Sequence, residues 1–163
     1  MSATATPVRT KIEAQGFLGL DDRTLAQINY PLRIAPAICL AFTAVGTALA
    51  SPAALYALAP FAFLGGVLPW HPFDALYQFG IRRVLGTAPI PRYPLPRRLA
   101  CFLATLVLVA AGWAFGAGHP VLGHALGWSM VAMASMNVTT GLCGPSIIYG
   151  RLFGPPALRR AVS

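Results

Sequence analysis

Two long stretches of the chain, residues 34–73 and 99–150, contain no Asp, Glu, Lys or Arg. A helix that crosses a bilayer needs about 20 apolar residues at a rise of about 1.5 Å each. Each stretch is roughly twice that length, so each predicts a helical hairpin rather than one long helix. The turns are visible as Pro and Gly punctuation: Ser51-Pro52 in the first stretch, and Gly116-Ala117-Gly118-His119-Pro120 in the second. The pattern places spans at 32–50, 53–70, 99–117 and 121–139. Helix is the expected state because backbone polar groups in lipid must be satisfied within the segment itself.

Polar positions around the hairpins predict shorter helices. In Asp21-Asp22-Arg23-Thr24-Leu25-Ala26-Gln27-Ile28-Asn29, either Asp can cap a helix whose Leu25 and Ile28 share a face with Leu32. His71-Pro72 opens a second helix, with Phe73, Leu76, Tyr77, Gly80 and Val84 on one face and Asp74, Arg82 and Arg83 elsewhere. Both read as amphipathic helices lying in the membrane interface. Residues 87–96 carry Pro89, Pro91, Pro94 and Pro96, which exclude a regular helix and predict an extended strap. The expected fold class is therefore an all-α membrane protein. It has four transmembrane helices as two helical hairpins, plus short interfacial amphipathic helices before the first span and in the central loop.

Composition agrees. Only 10% of residues are charged against 56% hydrophobic, too little charge to wet the surface of a soluble globule, which usually carries about a quarter. The net charge of +8 would suggest nucleic acid in a soluble protein, but its placement argues against that partner. Every basic residue lies between Arg9 and Arg33, Arg82 and Arg98, or Arg151 and Arg160. The two hairpin turns hold none. Lys and Arg stay on the cytoplasmic side, so the N-terminus, the 71–98 loop and the C-terminus are expected there, in the inner (plasma) membrane. Arg33, Arg82, Arg83, Arg97, Arg98 and Arg151 are expected at headgroup level, with the lipid bilayer as partner. No cleavable signal peptide is expected, since no apolar core precedes the first span. The domain reading is a disordered tail at 1–19, a membrane domain at 20–154 and a basic tail at 155–163.

Candidate chemistry is sparse. Cys39, Cys101 and Cys143 all map toward the cytoplasmic side, where structural disulfides are not expected. Cys39 and Cys101 read as small packing residues. Cys143, in Leu142-Cys143-Gly144-Pro145, reads as a reactive thiol exposed past the last span, beside Arg151. Met130, Met133 and Met136 form a sulfur stripe that suits packing more than Cu(I). His71, His119 and His124 lack metal-pair spacing, and no metal or other cofactor is expected. Gly112/Gly116 and Gly123/Gly127 have small-xxx-small spacing, for internal packing or for a homo-oligomer. Tyr30-Pro31-Leu32-Arg33 and Tyr93-Pro94-Leu95-Pro96-Arg97 each precede a hairpin and an early Cys, which suggests a worn parallel repeat.

Three segments carry a resemblance. They are Leu20-Asp21-Asp22 through Asn29, His71-Pro72-Phe73-Asp74-Ala75-Leu76-Tyr77, and Thr140-Gly141-Leu142-Cys143 with Ile148-Tyr149-Gly150. Together they resemble the bacterial domain of unknown function 4395, over roughly residues 20–154. The resemblance implies a small four-helix membrane protein without an agreed activity. It also implies a Cys-x-Gly-Cys-like ending followed by Tyr; here Cys143 stands first and Ser146 stands where the second cysteine would be. The ending is also similar, in fewer residues, to the membrane domain attached to some rhodaneses. The leading expectation is a non-enzymatic structural or accessory protein, oligomeric or part of a larger membrane complex. A thiol- or sulfur-handling component using Cys143 is the alternative. A third reading is an oligomeric small-solute transporter with a path along Ser129, Asn137, Thr139 and Thr140.

Overall fold

The structure is a computed structural model and describes residues 7–153. Among these the fold is all-helical. The helices are α1 (Pro7–Ala14), α2 (Asp22–Ile28), α3 (Ile34–Ala48, preceded by a 3-10 turn, Pro31–Arg33), α4 (Pro52–Val67), α5 (Arg82–Leu85), α6 (Leu95–Gly116), α7 (Pro120–Thr140) and α8 (Gly144–Phe153).

The four long helices form a closed ring in the order α3, α4, α6, α7, each packed on its two neighbours. The hairpin turns fall where the punctuation puts them. Ser51 caps α4, its Oγ accepting from Ala54 N, and Gly118 takes a left-handed φ of 77° between α6 and α7. Two helical stretches, Pro31–Ala48 and Leu95–Gly116, are each long and apolar enough to cross a membrane. Helix α4 qualifies only together with Pro72–Leu85, from which it is bent by 80°. Helix α7 has the length, but His124, Ser129, Ser135, Asn137, Thr139 and Thr140 dilute its hydropathy.

Glycines set how closely the ring closes. A methyl at Gly112 would press the Tyr56 ring on α4, one at Gly123 would overlap Phe115 on α6, and one at Gly127 would overlap Thr47 on α3. These three are used inside the bundle, while Gly116 meets nothing closer than Pro52 Cγ at 3.9 Å. Leu55, Leu58, Ala59, Ala62, Leu108 and Ala111 fill the centre.

At the end of the ring where α3 and α6 begin and α4 and α7 finish sits a second core. It joins Ile12, Phe17, Leu25, Ile28, Leu32, Tyr77, Ile90 and Tyr93. We refer to this layer as the cap. Residues 7–19, expected as a disordered tail, are folded into it: α1 presents Ile12, and Phe17 packs edge-on against Tyr93 at 6.3 Å. Residues 1–6 and the 155–163 tail lie outside the described residues. Helix α2 has the expected Asp21 cap and the expected Leu25/Ile28 face, but that face packs on protein.

The central loop departs from its expected face. Leu76–Ile81 is π-helical, which turns Tyr77 and Gln78 inward and leaves Leu76, Phe79 and Val84 exposed. The proline strap is extended up to Pro94 and is held by side chains acting as backbone partners, whereas Leu95 and Pro96, expected in it, form the first turn of α6, where a missing proline N–H costs no helix hydrogen bond. Gln78 bonds both N–H and C=O of Ile90, and the Tyr77 hydroxyl donates to Ala88 O.

Candidate functional site

A cavity of 280 Å³ opens between the bundle and the cap. Cys39 comes from α3, Cys101 from the second turn of α6, and Cys143 from the segment between α7 and α8. All three thiols line it, together with His71, Tyr93, Arg97, Asn137, Met130 and Met133. The rest of the wall is small and apolar, mainly Ala35, Ala62, Ala100 and Ala104. The volume sits at the lower end of ligand cavities and suits a small solute.

Cys143 is thus not the exposed thiol that its Gly-Pro surroundings suggest. It is 7% exposed, because α8 folds back on α6 and closes over it. Its cationic neighbour across the cavity is Arg97. Arg151 lies in α8, and its side chain is outside the described residues.

Arg97 also departs from the headgroup level expected for it. It is 4% exposed and makes its hydrogen bonds to protein. Its Nη1 donates to Gln15 Oε1, and its Nη2 donates to Leu32 O at 2.6 Å and to the Tyr93 hydroxyl at 3.2 Å. The guanidinium lies over the Tyr93 ring at 4.4 Å. Gln15 passes the link on, donating to Gly141 O at the end of α7 at 2.8 Å. The Tyr93 hydroxyl donates to Asp74 Oδ2 at 2.5 Å. One hydrogen-bonded chain therefore ties the turn after α1, the 3-10 turn before α3, α6, the strap, the 3-10 turn Pro72–Asp74 and the end of α7 into one site.

Asp74, expected on the polar side of an interfacial helix, is fully buried. Its Oδ2 also accepts from His71 N at 3.3 Å, while Oδ1 is buried with no partner. Burial pushes its carboxyl pKa up, against the opposing pull of the Tyr93 hydroxyl and Arg97. Burial likewise holds the Tyr93 phenol well above its ordinary value. His71 Nδ1 accepts from Phe73 N, so the neutral ring carries its proton on Nε2, which faces Cys39 Sγ at 3.8 Å. Burial, and then the Arg97 charge, push the His71 pKa down to about 4. The ring fits only because position 65 is glycine: a methyl there would overlap His71 Cδ2 and come within 3.2 Å of Cys101 Sγ.

The other arginines divide by role. Arg33 Nη1 donates to Val138 O and Thr139 O, both at 3.0 Å, so it caps the end of α7. Arg98 donates to Gly66 O at 2.7 Å and Val67 O at 2.9 Å, capping α4. Cations at helix C-termini satisfy orphan carbonyls and oppose the helix dipole. Arg83 is exposed and Arg82 half-buried, beside exposed Val84 and Leu85, an arrangement suited to the interface role expected for them.

Sequence reasoning missed Gln15, Asp74 and Tyr93 as site residues and gave Arg97 a headgroup role instead of one at the cavity. No group of three His, Cys, Asp or Glu suited to a metal ion occurs among the described residues. Of the polar path suggested for transport, only Asn137 lines the cavity. Ser129, Thr139 and Thr140 turn their hydroxyls back onto carbonyls of their own helix.

Residues 29–153, well over half of the chain, match the family described as Domain of unknown function (DUF4395). The chain belongs to this family. The match covers all four ring helices, His71, Asp74, Tyr93, Arg97 and the three cysteines, and it leaves out Gln15 of the cap. No curated protein and no solved structure matches the chain, so the likeness to rhodanese-attached domains has no counterpart there.

Proposed function

We propose that this DUF4395 protein is a small inner-membrane component that handles a sulfur compound at a thiol-lined cavity on the cytoplasmic side. The observation that carries this reading is the convergence of Cys39, Cys101 and Cys143, distant in sequence, on one cavity with Arg97. A purely structural protein has no need of three thiols and a cation around an open volume. Cysteine, as its thiolate, is the nucleophile and soft ligand of sulfur chemistry.

Crossing the membrane with all four ring helices is part of the proposal. Large apolar side chains stand exposed around the ring, including Phe42, Val45, Phe63, Leu106, Val109 and Val121. Patches of this extent are unfavourable in water and suited to lipid. The basic residues of α1, α2, α5 and the start of α6 gather at the cap end, which supports placing that end and both termini in the cytoplasm.

The test is to isolate the protein from its membranes under alkylating conditions and map the three thiols by mass spectrometry. A persulfide or mixed-disulfide adduct on at least one of them is expected, with loss of any associated phenotype in Cys143→Ser. Three unmodified thiols, together with indifference of the cell to Cys143→Ser, would remove the proposal. A single cysteine placed at 119 should be labelled only from the outside; labelling from the cytoplasm would contradict the topology.

A further inference from the structure

The charge balance around the cavity is incomplete. Arg97 is the cation lining it, and each hydrogen bond that it makes goes to an uncharged acceptor: Gln15 Oε1, Leu32 O and the Tyr93 hydroxyl. Both ion pairs among the described residues belong to Arg9, far from the cavity. The carboxyl nearest to Arg97 in this network, Asp74, is one hydroxyl removed, and burial disfavours its ionised form, with Oδ1 left without a donor. His71, the remaining basic group on the wall, is held neutral by burial. A guanidinium out of water without a directly paired counter-charge is costly, and an anion beside it recovers much of that cost.

The rest of the lining selects among anions. The cavity holds a small solute only, and most of its wall is apolar. Thiol and thioether sulfur from Cys39, Cys101, Cys143, Met130 and Met133 supplies a polarisable surface. Such a surface gives dispersion contact to a large polarisable sulfur atom, whereas the strongly hydrated oxygens of sulfate or phosphate lose water there without recovering hydrogen bonds.

We infer that the cavity is a binding site for a small sulfur-bearing anion, with Arg97 as its counter-charge and the thiol wall facing its sulfur atom. The choice of sulfur rests on the proposed function above, whereas the anion site rests on Arg97 and the cavity. Binding is non-covalent and reversible.

The test is calorimetric titration of the detergent-purified full chain with sodium thiosulfate, using sodium sulfate as the oxygen counterpart. Saturable thiosulfate binding is expected, with sulfate weaker by roughly tenfold or more. Arg97→Gln should lose thiosulfate binding by at least about tenfold. Because that change can unfold the cap, Ala104→Phe provides a second arm: it fills the cavity from α6, leaves Arg97 in place, and should abolish binding in a folded protein. The triple variant Cys39→Ser, Cys101→Ser, Cys143→Ser should still bind thiosulfate through Arg97, with its preference over sulfate reduced. That result keeps the anion site even where no thiol adduct is ever found. No saturable binding by the unmodified protein, equal binding of sulfate, binding retained in folded Ala104→Phe, or an undiminished preference for thiosulfate over sulfate in the triple variant would each overturn the inference.

Discussion

The ring of long helices and the cap at its end are held together by different means. In the ring, polar contacts are few and glycines let the helices close: Gly112 under Tyr56, Gly123 against Phe115, Gly127 against Thr47. In the cap, a large part of the structure depends on polar side chains that stand in for backbone partners. Gln78 takes both backbone groups of Ile90, Arg33 and Arg98 close the ends of α7 and α4, and the Arg97 network joins six segments through Gln15, Leu32, Tyr93 and Asp74. Small-residue packing works where the surroundings are apolar and there is no hydrophobic drive between helices. Directed hydrogen bonds work where irregular backbone must be buried. The cavity lies on the seam, with Cys39, Cys101 and Arg97 from ring helices, His71 and Tyr93 from the segments between α4 and α6, and Cys143 from the segment after α7.

That contrast can be broken first at Arg97. Arg97→Gln strands three acceptors in the cap and should cost about 3–5 kcal/mol in denaturant unfolding of the detergent-purified protein. A loss below about 1 kcal/mol would mean that the network does not hold the cap.

The next effect is pH-dependent and belongs to the cap alone. The folded His71 pKa lies at about 4, below the ordinary 6.5. Its neutral form therefore stabilises the fold fully above pH 6.5, and that contribution is lost as pH falls toward 4. Relative to His71→Gln, the unmodified protein should lose roughly 3 kcal/mol across that window. Asp74 acts with the opposite sign: its raised pKa favours the fold at low pH and less so as pH rises through the folded value. The comparison with His71→Gln separates the two, and parallel pH profiles for the two proteins would contradict the assignment to His71.

A smaller effect tests the ring. Gly127→Ala drives a methyl into Thr47 and should cost about 1–3 kcal/mol by the same unfolding assay. Gly116→Ala, whose methyl would make only an ordinary contact with Pro52 Cγ at 3.9 Å, should be neutral or stabilising by up to about 1 kcal/mol. Equal costs at 116 and 127 would show that the glycines do not act through internal packing.

The ring was legible in the sequence because two signals coincide there, hydropathy and Pro-Gly punctuation. Expected spans at 99–117 and 121–139 meet helices Leu95–Gly116 and Pro120–Thr140. The cap was half legible. The Asp21 cap and the Leu25, Ile28 and Leu32 face came from local pattern. The π-helical turn at Leu76–Ile81 did not, since one extra residue per turn moves Tyr77 and Gln78 to a face that a 3.6-residue period does not assign to Gln78. The site was least legible. Gln15 and Arg97 are 82 residues apart, and nothing in either neighbourhood announces the bond. Arg97 sits among basic residues that orient the chain, so its burial is hidden among neighbours whose role is charge placement. Cys143, expected exposed at the membrane surface, faces a cavity instead, because the fold-back of α8 has no local signature in the Gly-Pro segment.

The central claim is that the three thiols share one enclosed space, and a short bifunctional thiol reagent tests it most directly. In native membranes, dibromobimane, which fluoresces only when it bridges two thiols, should light up the unmodified protein. The signal should vanish in each variant retaining a single cysteine. Alkylation of Cys39, Cys101 and Cys143 one by one, with no bridged product, would contradict the account.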